Sequence, residues 1–263
     1  MINNKIKIAA VNFKSSHDIL ENINHLEEFL EILIKENVHF VLFPELSISS
    51  YCNNFSIHRK WDECKGEAIR KLNEISNKYD IIFSVGFPHD SHISQAVWYR
   101  GNMQALHNKT KLGPSEKANF KWGRDIHISN IEGFKFGTSI CYESHFPEIS
   151  AKYEEQGASL LCFPFASPRE SLEEKDDRFK MILRARAYDN SCFTICCNSV
   201  GEYGSNKDKY AGVALIIDPK GKILAEAKSY EETYIIAEMD LDIIENIKKS
   251  NMGYFRSEDN FRI

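Results

Sequence analysis

The sequence predicts a layered α/β fold, and two features of the chain support this prediction. Short apolar segments typical of strands alternate with long amphipathic segments typical of helices, and a strand-rich stretch follows them. Several strand candidates are apolar at consecutive positions, as expected for strands that are buried on both faces. Alternating strands and helices pack as layers around shared cores. Since the chain shows no linker, repeat or low-complexity tract, we predict one domain over residues 1–263.

Nine segments are strand candidates. They are residues 5–13, 39–45, 81–87, 95–109, 133–141, 159–165, 192–200, 210–218 and 233–240. Helical periodicity predicts helices over 18–37, 64–79 and 171–190, with Asp18 as the N-cap of the first. A further helix is expected to begin at Pro147, because proline suits the first helical position. The segment DPKGKI at 218–223 is typical of a tight hairpin turn.

Composition narrows the range of partners. The formal net charge is −5 and no block of lysine or arginine occurs, which argues against nucleic acid or an anionic membrane surface as the main partner. No segment approaches the length of a membrane-spanning helix, and the N-terminal segment lacks the features of a secretory signal. The seven cysteines are scattered and lie mostly in apolar segments, which indicates reduced thiols. We therefore expect a cytoplasmic protein.

Three reactive side chains stand at the ends of predicted strands: Glu45, Lys109 and Cys141. Ligand sites in α/β sheets collect at strand ends. A carboxylate there could accept the thiol proton, and an ammonium could stabilise developing negative charge. We expect Cys141 at a strand-to-helix junction, where free N–H groups and the helix dipole would favour a thiolate. Each residue alone also fits a plain structural role, as an inert buried thiol, a loop cap or a solvated strand end.

Two segments around the acid and the lysine, FPELSISSY at 43–51 and NKTKLGPSEKANFKWG at 108–123, resemble motifs of one enzyme family, the nitrilase or carbon–nitrogen hydrolase superfamily. FPELSISSY at 43–51 is similar to a Pro-Glu-Leu motif that is followed by a tyrosine, and it matches Glu45 and Tyr51 to the family. NKTKLGPSEKANFKWG at 108–123 resembles a Lys-x-His-Leu motif and matches Lys109. Two of the three strand-end residues, Glu45 and Lys109, therefore match motifs of this family.

The third segment completes the resemblance. GTSICYESHFPE at 137–148 is similar to the family's Cys-Tyr-Asp/Glu motif, which ends in Phe-Pro-Glu, and it matches Cys141. Segments 183–201 and 211–227 resemble the family's Arg-Ala-x-x-Asn helix with its following strand and a late hairpin. Almost the whole chain is covered, with the motifs in the family's order.

The sequence departs from the family pattern at two points. Lys111 replaces the usual histidine after the lysine, and Cys141 follows Lys109 by 32 positions, which is a short separation for the family. A trimmed loop there would alter the pocket mouth and the substrate, with the chemistry unchanged.

Glu116 matches a second glutamate of many members, one that orients the lysine or contacts the scissile group.

The resemblance implies a four-layer α-β-β-α sandwich that forms homodimers or higher homo-oligomers through its helices. It also implies that Glu45 takes the proton of Cys141 and that the thiolate attacks a small-molecule amide. The oxyanion would be bound by Lys109 and the backbone N–H of Tyr142, and no cofactor or metal is needed. The residues expected to line the acyl pocket are Tyr51, Glu143, Phe165 and Ala166.

Tyrosine after the cysteine is similar to the amidase-like branches, whereas true nitrilases resemble Cys-Trp-Glu at this point. We therefore expect amide hydrolysis by an amidase, an ω-amidase-like enzyme or an N-carbamoyl amidohydrolase. The alternatives are a nitrilase, an acyltransferase that passes the thioester to an amine, and a catalytically silent binding protein. A cysteine hydrolase that pairs Cys141 with a histidine such as His145 has no motif in its support.

Overall fold

The computed structural model describes residues 4–51, 56–203, 208–250 and 255. Five helices occur in these ranges: α1 (Ile19–Lys35), α2 (Ser56–Lys78), α3 (Pro147–Glu155), α4 (Leu172–Asn190) and α5 (Asp242–Lys248). The first seven strands of the same ranges are β1 (Lys5–Asn12), β2 (Phe40–Leu42), β3 (Ile82–His89), β4 (His92–Tyr99), β5 (Asn102–Asn108), β6 (Ser129–Ile131) and β7 (Phe134–Thr138). The next seven are β8 (Leu160–Phe165), β9 (Phe193–Asn198), β10 (Gly201–Tyr203), β11 (Asp208–Tyr210), β12 (Gly212–Ile217), β13 (Ile223–Ser229) and β14 (Thr233–Asp240).

Two six-stranded sheets of mixed direction form the centre of the fold. The strand order is β14-β1-β2-β3-β4-β5 in the first sheet and β13-β12-β9-β8-β7-β6 in the second. In each sheet a parallel group, β1-β2-β3 or β7-β8-β9, is flanked by antiparallel strands. Strands β10 and β11 form a separate two-stranded ribbon.

Three apolar clusters separate four layers. Helices α1 and α2 pack on one face of the first sheet, where Leu26 and Leu72 meet Phe83. The two sheets pack against each other through a second cluster that contains Phe40 and Phe136. Helices α3 and α4 cover the outer face of the second sheet through a third cluster. The expected four-layer α-β-β-α sandwich is therefore confirmed.

Local sequence signals account for the helix boundaries. Asp18 caps α1, because its Oδ1 accepts hydrogen bonds from the N–H groups of Leu20 at 2.9 Å and Glu21 at 3.0 Å. Ser171 caps α4 in a reciprocal capping box with Glu174. Helix α3 begins at Pro147, as predicted.

Several predicted boundaries differ from the structure. Residues 95–109 do not form one strand but a hairpin of β4 and β5, which turns at Arg100 (φ 48°) and Gly101 (φ 80°). A two-residue turn with both φ angles positive matches the right-handed twist of the flanking strands, so the chain reverses there. The second helix begins at Ser56, earlier than the predicted 64, and β7 ends at Thr138, before the predicted 141.

The described helices were also compared with the requirements of a membrane span. None of those in the ranges given above is long and apolar enough to cross a bilayer.

Candidate active site

The acid, the lysine and the cysteine meet where the two sheets adjoin. Glu45 follows β2 and Lys109 follows β5, both in the first sheet, whereas Cys141 follows β7 in the second. Lys109 Nζ lies 2.6 Å from Glu45 Oε1, and both side chains are fully buried. The Glu45 carboxylate also lies close enough to the Cys141 thiol for its charge to raise the pKa of that thiol. Strand ends distant in sequence thus bring a carboxylate, an ammonium and a thiol together.

A second carboxylate completes the surroundings of the lysine. Glu116 Oε1 lies 2.8 Å from Lys109 Nζ and accepts a hydrogen bond from Tyr51 Oη at 2.9 Å. Glu116 Oε2 accepts a hydrogen bond from Gly113 N at 2.7 Å. Lys109 therefore donates to two carboxylates at once, and its ammonium has little freedom to move.

The backbone fixes Glu45 from two sides. Its Oε2 accepts a hydrogen bond from Ala166 N at 3.1 Å, which connects it to the chain after β8. The segment that carries Glu45 also passes close to Gly86, where a Cβ would lie 2.2 Å from Leu46 N. Only glycine permits this approach. Leu46 itself has a positive φ of 51°, so the carboxylate is presented by a strained turn.

Burial and charge set the protonation states. Burial raises the pKa of the Cys141 thiol, and the Glu45 carboxylate raises it further, against the opposing effect of Lys109. Burial lowers the pKa of Lys109, but Glu45, Cys141 and Glu116 together outweigh burial and raise it. Burial also raises the pKa of Glu45. The resting site consequently holds a neutral thiol, a protonated lysine and a carboxylate of increased basicity.

The turn that carries the cysteine differs from the predicted one. A 3-10 turn over Cys141–His145 separates the thiol from α3, and Cys141 has a positive φ of 47°. The dipole of a helix acts mainly within its first turn, so α3 begins too late in the chain to stabilise a thiolate directly. The expectation of a dipole-stabilised thiolate is therefore wrong. The N–H of Tyr142 has no acceptor among the described residues and remains free to bind an oxyanion.

Glu143 was expected in the acyl pocket, and the structure places it elsewhere. The side chain is fully buried and both carboxylate oxygens accept hydrogen bonds. Oε1 accepts from Thr110 N at 2.7 Å and Thr110 Oγ1 at 2.6 Å, and Oε2 accepts from Ile140 N at 2.6 Å and pairs with His107 Nε2 at 2.8 Å. Glu143 therefore joins the cysteine turn to the strand end that carries the lysine, with no oxygen left for substrate.

An open cavity of about 300 Å³ reaches Cys141 from outside. Its other lining residues are Tyr142, His145, Phe165, Ser167, Pro168, Arg169, Glu170 and Arg178. Of the predicted pocket residues, only Phe165 is among them. Tyr51 instead donates a hydrogen bond from its hydroxyl to Glu116, and Ala166 donates one from its backbone N–H to Glu45. His145 lines the cavity but makes no hydrogen bond to Cys141 in the described part of the chain.

Two groups of residues near the site were missed from the sequence. His107 lies on β5 and precedes Lys109, the residue just after the strand, by two positions. Period-two alternation continued to Lys109 would place both side chains on one face, which is a usable signal. The other group, Glu170, Lys175 and Arg178, lies after β8 and on α4. These three residues sit in a stretch dense in charge and have no distinguishing spacing.

Comparison with known proteins extends these observations. The sequence model of the carbon–nitrogen hydrolase family matches residues 7–249. A 2-oxoglutaramate amidase of Bacillus subtilis is 30% identical, over 88% of this chain and 88% of that protein. An ω-amidase of Saccharomyces cerevisiae is 27% identical, over 95% of this chain and 92% of that protein. A carbon–nitrogen hydrolase structure from Helicobacter pylori superposes with a TM-score of 0.86 at 22% identity, covering 98% of this chain and 97% of that one.

Proposed function

The chain belongs to the carbon–nitrogen hydrolase family and is an amidohydrolase, and we propose that it cleaves a small non-peptide amide through a thioester on Cys141. The observation that carries this proposal is that Glu45 lies 2.6 Å from the Lys109 ammonium and close enough to the Cys141 thiol for its charge to raise the pKa of the thiol. The named amidases among its relatives support an amide over a nitrile.

In the first half of the reaction Glu45 accepts the thiol proton as Cys141 Sγ bonds to the amide carbonyl carbon. The raised pKa of the Glu45 carboxyl makes it a competent base for this transfer. The carbonyl oxygen becomes an oxyanion that Lys109 Nζ and the Tyr142 N–H bind. Glu45 then gives the proton to the amide nitrogen, the C–N bond breaks, and ammonia or an amine leaves.

In the second half water replaces the amine. Glu45, again ionised, takes a proton from water while the hydroxyl oxygen bonds to the thioester carbon. The same two donors stabilise the second oxyanion. The C–S bond breaks, Glu45 returns the proton to sulfur, and the carboxylic acid leaves. Glu116 holds the Lys109 ammonium in place through both steps, because it accepts one of its N–H groups.

Ammonia release and mass spectrometry test the proposal. Matched amide and nitrile pairs with one acyl group should show turnover of the amide, and an amide trapped with acid should leave an acyl adduct on the Cys141 peptide. Cys141→Ala, Glu45→Gln and Lys109→Met should each remove nearly all turnover, with a loss of about 10²-fold or more, and double variants should be scarcely slower than single ones, because the groups act as a unit. Faster turnover of nitriles than of amides, or an adduct on another cysteine, would contradict it.

The proposal also covers the compartment and the oligomeric state of the enzyme. We place it in a reducing compartment such as the cytoplasm, which fits the six free cysteines among the described residues. We also expect homodimers that pair through helices. Helix α4 presents Met181, which is 69% exposed, and one heptad later Tyr188, which is 49% exposed, on a common face.

A further inference from the structure

The edge strand β5 of the first sheet directs one histidine into the protein interior. Of the residues Asn102–Asn108 only His107 is buried, and the others are exposed or half-buried. A buried polar ring needs a partner, because burial without a hydrogen bond is costly. The partner of His107 is Glu143, whose Oε2 lies 2.8 Å from Nε2. Since Glu143 follows β7, this contact joins the first sheet to the second.

The same oxygen of Glu143 holds the backbone directly before the nucleophile. Oε2 accepts a hydrogen bond from Ile140 N at 2.6 Å in addition to its contact with His107. Ile140 precedes Cys141, which has a positive φ of 47° at the start of the 3-10 turn. A residue other than glycine keeps this conformation only where its surroundings enforce it. Glu143 Oε2 therefore fixes the backbone one residue before the thiol.

His107 determines where that oxygen lies. Glu143 Oε1 is held by Thr110 N at 2.7 Å and Thr110 Oγ1 at 2.6 Å, and Thr110 follows β5. These bonds fix one oxygen of the carboxylate but leave the group free to pivot about it. Ile140 cannot prevent the pivot, because it belongs to the turn that would move with Oε2. The bond from His107 to Oε2 supplies the second anchor on the β5 segment, and two anchors fix the orientation of a planar group.

The ring of His107 also contacts a second support of the same turn. It meets Tyr153 of α3 edge to face, with 6.5 Å between ring centroids. The Tyr153 hydroxyl donates to Thr138 O at the end of β7. Two side chains against the ring, Glu143 and Tyr153, therefore bind the backbone that leads to Cys141.

Resting on the proposed function, we propose that His107 is a positioning residue, which acts through Glu143 to hold the turn of Cys141 against the strand end that carries Lys109. His107 precedes Lys109 by two residues, so one short segment places both the oxyanion donor and the nucleophile. The histidine does not line the cavity at Cys141 and touches no reacting atom. Its effect is on geometry, where a misplacement of about 1 Å can cost about 10²-fold in rate.

Steady-state hydrolysis of a small amide that the parent protein turns over separates positioning from packing. His107→Leu removes the donor to Glu143, so kcat should fall about tenfold or more while KM changes by less than about threefold. His107→Gln places an amide N–H close to the position of Nε2 and should keep kcat within about threefold of the parent. Rates are expressed per folded molecule, with the folded fraction measured by circular dichroism at the assay temperature.

Alkylation of Cys141 by iodoacetamide gives a second readout that does not depend on turnover. Glu45→Gln should speed alkylation at fixed pH, because the Glu45 charge raises the pKa of the thiol. Loss of the histidine lets the turn move away from Glu45, and the interaction between charges falls with distance. The acceleration should therefore shrink by about half or more in the His107→Leu background and stay unchanged in the His107→Gln background.

Controls and outcomes complete the test. His17→Leu changes an exposed histidine before α1 and should leave both readouts unchanged. If His107→Leu does not fold, His107→Asn replaces it, because its N–H falls short of Glu143 Oε2, and it should lower kcat in the same way. An unchanged kcat in the folded variant, or equal losses in His107→Leu and His107→Gln, would overturn the inference, even if Tm falls. If the parent turns over no amide, the proposed function fails, and the alkylation readout alone then decides the role of His107.

Discussion

Replacing Glu143 by glutamine should destabilise the protein far more than the same change on its surface. The carboxylate accepts four short hydrogen bonds in a fully buried position. Glutamine keeps the shape but offers one oxygen, so its amide N–H₂ must face donors on one side. The Thr110 hydroxyl and the His107 ring can turn or change tautomer to accept, but the N–H of Ile140 or Thr110 cannot.

The magnitude follows from these contacts. One orphaned buried N–H costs about 1–3 kcal/mol, and loss of the charge weakens the remaining bonds by roughly 1 kcal/mol in total. We expect Glu143→Gln to lower the free energy of unfolding by about 2–4 kcal/mol and Tm by roughly 5–15 °C. Thermal unfolding followed by circular dichroism measures it. Glu67→Gln, at a side chain that is 52% exposed, is the matched control and should change stability by less than about 0.5 kcal/mol.

The pH dependence gives an independent check. Burial raises the pKa of the Glu143 carboxyl, but its interactions with His107 and Thr110 outweigh burial and hold the pKa below the usual 4.5. A carboxyl with a depressed folded pKa stabilises the protein above its unfolded pKa, and that contribution is lost as pH falls through the folded value. The stability gap between the parent and Glu143→Gln should therefore shrink below about pH 4.5. Equal melting temperatures of the parent protein and Glu143→Gln at pH 7 would refute the structural role of Glu143 and would favour the original prediction that it lines the acyl pocket.

Three further predictions concern the thiol, the base and the assembly. Because burial and Glu45 raise the pKa of Cys141, its alkylation rate by iodoacetamide should still be rising at pH 9, and a plateau near neutrality would indicate a preformed thiolate instead. Glu45→Gln should slow amide hydrolysis by about 10²-fold or more yet speed alkylation of Cys141 at fixed pH, since the lost negative charge lowers the thiol pKa; slower alkylation would contradict this view of the base. The homodimer proposed through α4 predicts that Met181→Glu lowers the mass measured by light scattering towards that of a monomer while the fold stays intact. An unchanged mass would place any interface away from this face of α4.

Local chemistry made most of the fold predictable. Asp18 caps α1, and Pro147 opens α3 because its missing N–H is not needed there. The turn at 218–223 is stabilised by the Asp218 side chain, which accepts from the N–H groups of Lys220 and Lys222. Each signal lies within a few residues of its effect. The hairpin at Arg100 was missed because its turn is only two residues long and interrupts an otherwise strand-like segment.

The interior of the site was predictable only as a set of residue types. Glu45, Lys109 and Cys141 each stand at a strand end, so their meeting follows from the rule that strand ends collect sites. The position of the Glu143 side chain and its hydrogen-bond partners do not follow from any local sequence rule. Its partners are fixed by the relative position of β5 and β7, which belong to different sheets and whose register depends on packing in the intervening core. The positions of Glu170, Lys175 and Arg178 depend in the same way on how α4 lies over the end of β8.

Because the acid and the lysine belong to one sheet and the thiol to the other, the site exists only while the two sheets are packed together. Glu45 bridges them directly, through Lys109 on its own sheet and through Ala166 N on the other. Glu143 also connects the two sheets. It lies in the turn that follows β7 of the second sheet, and it accepts a hydrogen bond from Thr110 N, which follows β5 of the first sheet. Any small shift of the inter-sheet core would lengthen both connections at once. A change in that core, for instance Phe136→Ala, should therefore reduce kcat at temperatures where the chain is still folded, although Phe136 does not line the cavity at Cys141.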